Sequence, residues 1–333
     1  MTVPDFNELL RAAADQYAEA KVAGATAQYQ EQLVAAQAQL AALQTQLANA
    51  LAVDAADKAT VGQLQATVAN LQAQLAALTP GKAPAPPAGW AVAFQDDCDT
   101  PSLDGGCWSA TTDAAGNELS QRLPANVLPS TDHLTIRARR QDYGGRQFTS
   151  GYITTAGRFS VPFGRWLVRA RWDDLYGLWP ALWLRDDTGL GEIDIMESVG
   201  TVPKLVQTVH QSTNGDQDRS GNEWPMPAGW APSDWHVYGL QRDHTGTLTW
   251  TVDGRPVFTR STSDTGSRSK APMTWLTGPA FPSKLHLIIN LQVGGSMPAY
   301  YLGKGYDPAK ILPGDTVGTL DIDWVQVLTP LAG

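Results

Sequence analysis

Residues 191–198 of this 333-residue chain read Gly-Glu-Ile-Asp-Ile-Met-Glu-Ser. Side chains two positions apart share one face of a β-strand, so Glu192 and Asp194 are expected to project together while the two isoleucines pack on the other side. Glu197 has the wrong parity for that face, but one extra residue, accommodated as a bulge at Ile195–Met196, returns it to the side of the other acids. The segment therefore predicts a strand with three carboxylates on one surface.

Such a row of acids costs free energy, because like charges close together raise one another's pKa values. Enzymes that hydrolyse glycosidic bonds with retention of configuration use two carboxyl groups about 5 to 5.5 Å apart, one to attack the anomeric carbon and one to donate a proton. Glu192 and Glu197 fit that pair, with Asp194 between them to orient the nucleophile. Taken alone, the three acids also fit a calcium-binding strand or a solvated acidic edge.

The segments around this strand alternate apolar and polar residues between Gly, Pro, Asn and Asp turns. Examples are residues 134–138, 166–172, 248–252 and 285–289. Many short strands with no intervening helical period predict an all-β sandwich. Residues 80–89 are rich in Pro and Ala and predict an extended linker, which places the β-domain at 90–333.

Together with these segments, the acidic motif resembles glycoside hydrolase family 16, in the branch whose signature is Glu-x-Asp-x-x-Glu. Further segments resembling that family follow in its order: residues 149–153, 163–166, 178–184, 208–210, 235–238, 252–254, 289–295 and 320–327. The resemblance covers residues 90–330 and implies a concanavalin-like β-jelly-roll sandwich and an endo-acting, retaining polysaccharide hydrolase. It also implies Glu192 as the nucleophile, Glu197 as the acid/base and Asp194 as the assisting acid.

The same resemblance implies a set of substrate-binding residues. Trp179 and Trp183 flank the strand that leads to the acidic one, and we expect one of them to pack in the core and the other to form a platform for a sugar ring. His210 is expected to hydrogen-bond near the acids. Arg165 and Trp235 are carried over from the family segments as further substrate contacts.

The substrate itself is less defined by the sequence. Residues 215–227 are polar and predict a loop beside the cleft. No cluster of Arg and Lys stands out near the acids, which favours a neutral β-linked glucan or galactan over a sulfated polysaccharide. We expect no metal and no cofactor in catalysis, and a structural calcium ion is left open.

The composition excludes several other classes of protein. The formal net charge is −9, with 24 basic against 33 acidic residues, and no Lys/Arg cluster offsets it, which argues against nucleic acid as a partner. No stretch approaches the roughly 18 apolar residues needed to enter and span a bilayer. Cys98 and Cys107 are separated by a short turn, and spacing alone leaves open a disulfide or two free thiols.

Residues 1–79 have a different composition, dominated by Ala, Gln and Leu, and predict helix. A seven-residue register runs without a slip from Leu33 to Leu78, interrupted only by Asp54 and Asp57, which form either a polar layer or a break between two helices. We predict a coiled coil that makes the chain a homotrimer and attaches it to other proteins. A helical hairpin folded back on itself is the alternative.

The two halves together predict how the protein reaches its substrate. Residues 1–8 lack the basic start and apolar run of a secretion signal, although polysaccharides of this kind lie outside cells. A chain in which a helical segment, a linker and a hydrolase follow one another resembles a minor tail protein of an actinobacteriophage. This resemblance predicts location in a virion, other tail proteins as partners and the host envelope as substrate. A secreted endo-β-1,3-glucanase whose signal was removed and a non-catalytic glycan-binding adhesin are the alternatives.

Overall fold

The computed structural model describes residues 82–113, 118–189, 191–213, 216–261, 264–266, 283–303 and 305–331, together with the helical residues 41, 42 and 45. Contacts divide the chain into two units, Met1–Thr79 and Pro80–Gly333. The predicted coiled coil and its trimer fall on the first unit and, apart from the three helical residues just named, lie outside the described residues. The second unit carries the fold that follows.

Strands dominate the described part of this unit. In chain order they are β1 (Trp90–Asp96), β2 (Ser109–Ala110), β3 (Ser120–Arg122), β4 (Val127–Pro129), β5 (Leu134–Tyr143), β6 (Arg146–Ser150), β7 (Tyr152–Thr154), β8 (Gly164–Trp172), β9 (Leu178–Asp186), β10 (Gly191–Glu197), β11 (Lys204–Thr213), β12 (Asp216–Pro225), β13 (His236–Arg242), β14 (Leu248–Val252), β15 (Arg255–Arg260), β16 (Leu285–Val293) and β17 (Val317–Pro330). One short helix, α1 (Ser296–Tyr301), follows β16. No helix in the described part of the chain is long and apolar enough to cross a membrane.

These strands form two sheets within the described residues. The ten-stranded sheet has the order β15-β14-β13-β8-β17-β5-β6-β3, with β1 paired to β17 and β4 to β5. The seven-stranded sheet has the order β12-β11-β10-β9-β16-β7-β2. Neighbours in the seven-stranded sheet are all antiparallel, and the long crossovers between sheets produce a jelly-roll sandwich. The predicted all-β jelly roll is confirmed.

The hydrophobic core lies between the two sheets. Alternate residues of β8 and β14 are buried, as period-two patterning requires for a strand with one face inward. Five tryptophans are almost fully buried: Trp108, Trp166, Trp172, Trp250 and Trp324. These five tryptophans therefore serve core packing, whereas the half-buried tryptophans are left for surface roles.

The structure adds two details at the edges of this domain. The Pro/Ala linker is bonded to the sandwich, because Ala83 N donates to Asp97 Oδ1 at 3.1 Å and Gln326 Nε2 donates to the Pro84 carbonyl at 2.8 Å. Cys98 and Cys107 are free thiols, so the disulfide alternative is wrong. Burial first, then a hydrogen bond to Asp104, raises the pKa of Cys107 to about 11.

Candidate active site

The acidic strand β10 carries the predicted bulge. Against β9, Asp194 lies opposite Trp183 and Met196 lies opposite Leu182, so one residue of β10 has no partner. The same shift occurs against β11, between Asp194 and Glu197. A bulge adds one residue to one strand of the pair, which restores the side of Glu197. The prediction of a bulge at Ile195–Met196 is confirmed.

The bulge separates the two faces of β10 as expected. Ile193, Ile195 and Met196 belong to the buried core between the sheets, with at most 2% of each exposed. Glu192 and Glu197 lie on the opposite face and line a cleft of about 720 Å³. The cleft is lined by Trp179, Arg185, Gly189, Gly191, Glu192, Glu197, Val206, Thr208, His210, Gln211, Arg219, Gly221, Asn222, Glu223, Ser296, Met297, Tyr300 and Tyr301.

Asp194 is buried between the other two acids and is held by His210. The His210 Nε2 atom lies 3.1 Å from Asp194 Oδ2 and 3.9 Å from Glu192 Oε1. Burial acts to lower the pKa of His210, but the hydrogen bond to Asp194 and the charges of Asp194 and Glu192 outweigh it, so the pKa is raised. The predicted hydrogen-bonding position of His210 near the acids is confirmed.

Glu192 and Glu197 have different environments. Burial first, then the charge of Asp194, raises the pKa of Glu192 to about 7, although the charges of His210 and Arg185 oppose this. Burial also raises the pKa of Glu197 well above its usual range, with further contributions from the charge of Asp194 and from a hydrogen bond with it. Burial is therefore the largest cause of the raised pKa of both carboxyl groups.

Trp179 and Trp183 project from β9 on the cleft face. The Trp179 indole Nε1 donates to Glu197 Oε1 at 2.9 Å, and this bond partly opposes the rise in the pKa of Glu197. The Trp183 Nε1 donates to Asn290 Oδ1 at 2.7 Å, beside Asp194 across the strand pair. Both tryptophans are half-buried, so the expectation that one packs in the core is wrong.

The other two substrate-contact predictions fall on the opposite sheet. Arg165 lies on β8, where its guanidinium stacks 4.1 Å from the Trp90 ring centroid and Nε donates to Gln241 Oε1 at 2.5 Å. Trp235 precedes β13 and lies under the guanidinium of Arg171, 4.5 Å from its ring centroid. Arg165 lies in the ten-stranded sheet and Trp235 lies next to it, and neither lines the cleft, so their assignment as substrate contacts of this cleft is corrected.

One buried side chain reaches the bulge from the far sheet. Trp250, on β14, is 1% exposed, and its indole Nε1 donates to the Asp194 backbone carbonyl at 2.8 Å. The register shift on both sides of β10 begins at Asp194, so this carbonyl lies where the strand ladder is interrupted. A buried carbonyl without a partner is costly, and Trp250 supplies that partner.

The far wall of the cleft contains residues that the sequence pattern did not indicate. The polar segment predicted as a loop at 215–227 is largely strand β12, whose described ladder pairs it with β11 along its length. From this strand, Glu223 accepts hydrogen bonds from Lys204 Nζ at 2.6 Å and from the Tyr301 hydroxyl at 2.7 Å. These bonds connect helix α1 to the edge of the seven-stranded sheet and place Tyr300, 71% exposed, beside the cleft.

The arrangement also has the capacity to hold a cation. One ligand atom each from Glu192, Asp194 and His210 lies within 4.8 Å of the other two. Cleavage of a glycosidic bond would need the same carboxylate atoms to be free of a metal ion. A metal ion bound here would therefore compete with that reaction. The open prediction of a structural calcium ion stays a prediction.

A β-jelly roll whose cleft sheet presents three acids around a strand bulge, two of them with a raised pKa, is the arrangement expected of a glycoside hydrolase. The family model described as "Glycosyl hydrolases family 16" matches residues 120–286. The chain belongs to this family and is an endo-acting glycoside hydrolase, as predicted.

Known proteins resemble the chain over the same region. A β-glucanase of Rhodothermus marinus is 32% identical over 206 residues, which cover 58% of this chain and 67% of the relative. A glucan endo-1,3-β-glucosidase of Niallia circulans is 29% identical and covers 72% of this chain, but the chain spans 38% of its length. Among solved structures, the R. marinus laminarinase superposes with a TM-score of 0.59 at 29% identity, covering 73% of this chain and 98% of that one.

Proposed function

We propose that the β-sandwich hydrolyses a β-linked glucan with retention of anomeric configuration. Glu192 is the nucleophile and Glu197 the general acid and base. The observation that supports this assignment best is the bulge of β10, which places Glu192 and Glu197 on one face and buries Glu197 beside Asp194. Two carboxyl groups with different pKa values are what a double displacement requires.

In the first step, a Glu192 carboxylate oxygen attacks the anomeric carbon and the glycosidic carbon–oxygen bond breaks. Glu197 gives its proton to the departing oxygen, and a glycosyl ester on Glu192 remains. In the second step, Glu197 takes a proton from water, the water oxygen bonds to the anomeric carbon, and the ester bond to Glu192 breaks. Asp194, held by His210 at 3.1 Å, orients the nucleophile and shares the proton of Glu197.

A β-1,3-linked glucan, with or without β-1,4 linkages, is the proposed backbone. The names of the R. marinus and N. circulans relatives describe glucanases, and the chain is similar to both over the β-domain. Trp179 and Tyr300 offer aromatic surface in the cleft for stacking against sugar rings. A galactan is the alternative backbone, and parallel digestion of laminarin and galactan distinguishes them.

The stereochemistry of the first product tests the mechanism. Proton NMR during laminarin digestion is expected to show the β-anomer of the new reducing end first, before mutarotation. Early appearance of the α-anomer would exclude a double displacement and with it the role of Glu192 as nucleophile.

A substitution separates an enzyme from a binding protein. Glu192→Gln is expected to lower kcat at least about a thousandfold while laminarin binding persists, because the amide keeps the shape but cannot attack. Glu223→Gln, in the same cleft, is the matched control. Undiminished cleavage by the Glu192 variant would refute the catalytic assignment, and absence of cleavage in the unmodified protein would favour the adhesin.

We further propose that the chain acts at a bacterial surface as part of a phage tail, trimerised through its N-terminal segment. The support for the trimer is the heptad register from Leu33 to Leu78, which keeps its frame although Asp54 and Asp57 occupy two of its core positions. Sedimentation of the full chain is expected to give the mass of three copies, and mass spectrometry of purified virions is expected to detect the protein. A monomer in solution would refute the trimer.

A further inference from the structure

Helix α1 forms one wall of the cleft, yet its own sequence gives it little stability. It contains six residues, Ser296–Tyr301, whereas isolated helices shorter than about 12 to 15 residues are marginal in water. The residue before it, Gly295, has no side chain with which to cap the first turn. The contacts that hold Met297 and Tyr300 against the cleft must therefore come from outside the helix.

The start of α1 is bonded to Tyr306, a residue of the described part of the chain that does not line the cleft. The Gly295 amide donates to the Tyr306 hydroxyl at 2.9 Å. The preceding residue, Gly294, has a φ of +61°, and a β-carbon on it would lie 2.8 Å from the same hydroxyl. Glycine is therefore needed here both for the backbone conformation and for the close approach of the hydroxyl. The Gly-Gly pair that ends segment 289–295 thus makes room for this hydrogen bond.

Tyr306 is itself fixed to the sandwich. Its ring packs against the hydrophobic core between the sheets. The amide of the next residue, Asp307, donates to the Tyr176 hydroxyl at 3.1 Å. A guanidinium nitrogen of Arg140, on β5, donates to the Ile311 carbonyl at 2.9 Å and so holds the turn that follows. The support of α1 therefore begins on the ten-stranded sheet and ends at the cleft.

We propose that Tyr306 is a positioning residue for the substrate, because its hydrogen bond to Gly295 holds α1 where Tyr300 meets a sugar ring. The inference rests on the proposed function, since it concerns the aromatic wall of the same cleft. Tyr300 is 71% exposed, so the helix that carries it sets its place more than packing around its ring does. Loss of the bond lets α1 move, and long glucans that reach Tyr300 then bind more weakly. The chemistry at Glu192 and Glu197 is unaffected.

The test is Tyr306→Phe in the full chain, which keeps the ring and removes only the hydroxyl. Amide hydrogen exchange at Gly295 and Ala299 is expected to become about tenfold faster, with the amides of β16 unchanged. KM for long laminarin is expected to rise about fivefold at unchanged kcat, while KM for a short oligosaccharide stays the same. Tyr176→Phe is the matched control, because it removes a hydroxyl bonded to a backbone amide outside α1.

A double substitution shows whether Tyr306 acts through Tyr300. Tyr300→Ala removes the ring that α1 presents to the substrate. Adding Tyr306→Phe to that variant is therefore expected to raise KM for long laminarin by less than about twofold further. Effects of the two substitutions that multiply in full would show that the hydroxyl acts elsewhere, and would overturn the inference.

Four other results would also overturn the inference: unchanged exchange at α1, faster exchange throughout the domain, an unchanged KM for long laminarin, or equal effects of Tyr176→Phe. The proposed function fails separately, if the unmodified chain does not cleave laminarin. Laminarin binding in native gels then takes the place of KM. Weaker binding by the Tyr306 variant, together with faster exchange at α1, supports the inference, whereas binding equal to that of the unmodified chain, or no binding by either, overturns it.

Discussion

Asp194 tunes both of its neighbours, and replacing it by Asn changes the pH dependence of activity in a defined direction. The charge of Asp194 raises the pKa of Glu192 and of Glu197. The proposed mechanism requires Glu192 ionised and Glu197 protonated, so we expect kcat/KM to rise as pH passes the pKa of Glu192, about 7, and to fall again at higher pH as Glu197 ionises. Removal of the charge lowers both pKa values. The rising (acid) limb and the falling (alkaline) limb of the kcat/KM profile therefore both move to lower pH.

The distances in the cleft set the size of this shift. The nearest ligand oxygens of Glu192 and Asp194 lie within 4.8 Å of each other. Coulomb's law at that distance gives about 0.9 kcal/mol in water and about 3.5 kcal/mol at an effective dielectric constant of 20, which corresponds to about 0.6 to 2.5 pKa units. Because 32% of the Glu192 side chain is exposed, a value of about one unit is expected, and the acid limb moves from about pH 7 to about pH 6.

The assay is kcat/KM for laminarin measured from about pH 4 to about pH 10 in buffers of constant ionic strength, since screening weakens exposed charges. Asp132→Asn is the control, because the Asp132 side chain is 86% exposed and is absent from the cleft lining. An acid limb that stays in place, or that moves to higher pH, would show that Asp194 does not act on Glu192 through its charge.

Three further substitutions follow from the hydrogen bonds and exposure described above. Trp179→Phe removes the indole that donates to Glu197, so the pKa of Glu197 rises and the alkaline limb of kcat/KM moves to higher pH. Trp250→Phe leaves a buried carbonyl unpaired and is expected to lower the free energy of unfolding by about 1 to 3 kcal/mol in denaturant titrations. Trp166→Phe is expected to lower it less, because the Trp166 indole nitrogen has no hydrogen-bond partner among the described residues. Tyr300→Ala is expected to raise KM for long laminarin by about tenfold, with a smaller effect on a short oligosaccharide, because stacking on an exposed ring is lost.

The controls for these substitutions come from the same domain. Trp183→Phe removes an indole bond to Asn290 and is expected to leave the alkaline limb in place. Tyr143→Ala removes a ring that is 49% exposed away from the cleft lining, and a KM increase as large as that of Tyr300→Ala would remove the stacking argument. Equal losses of stability in the Trp250 and Trp166 variants would show that the indole–carbonyl bond contributes nothing.

Local patterning was enough to predict the centre of the site. The parity of Glu192, Asp194 and Glu197 required a bulge, and the structure has one between Asp194 and Glu197. The two isoleucines between the acids lie in the core, as alternation demands. These features depend only on residues within one strand, so the sequence of that one segment was sufficient to predict them.

Features that depend on pairing across strands were not predictable in the same way. Strand β12 has a polar sequence with Gly221 in its middle and no apolar alternation, so its pairing with β11 outweighs its low β-propensity. Arg185 and Arg219 come to line the same cleft only through the pairing of β9, β10, β11 and β12. The prediction that Arg165 and Trp235 line the cleft was wrong, because the segments that contain them resemble the family in its fold and do not form part of the cleft.

The indole of Trp250 gives this site a reporter that needs no substrate. Trp250 is 1% exposed, and its hydrogen-bonded indole proton exchanges with solvent only when the two sheets of the sandwich separate. The NMR resonance of this proton is resolved from those of the backbone amides. Its exchange rate therefore measures how often the strand carrying the acids detaches from the layer behind it. If that rate equals the rate of global unfolding, the catalytic strand has no local opening of its own, and the domain loses its active site only when it loses its fold.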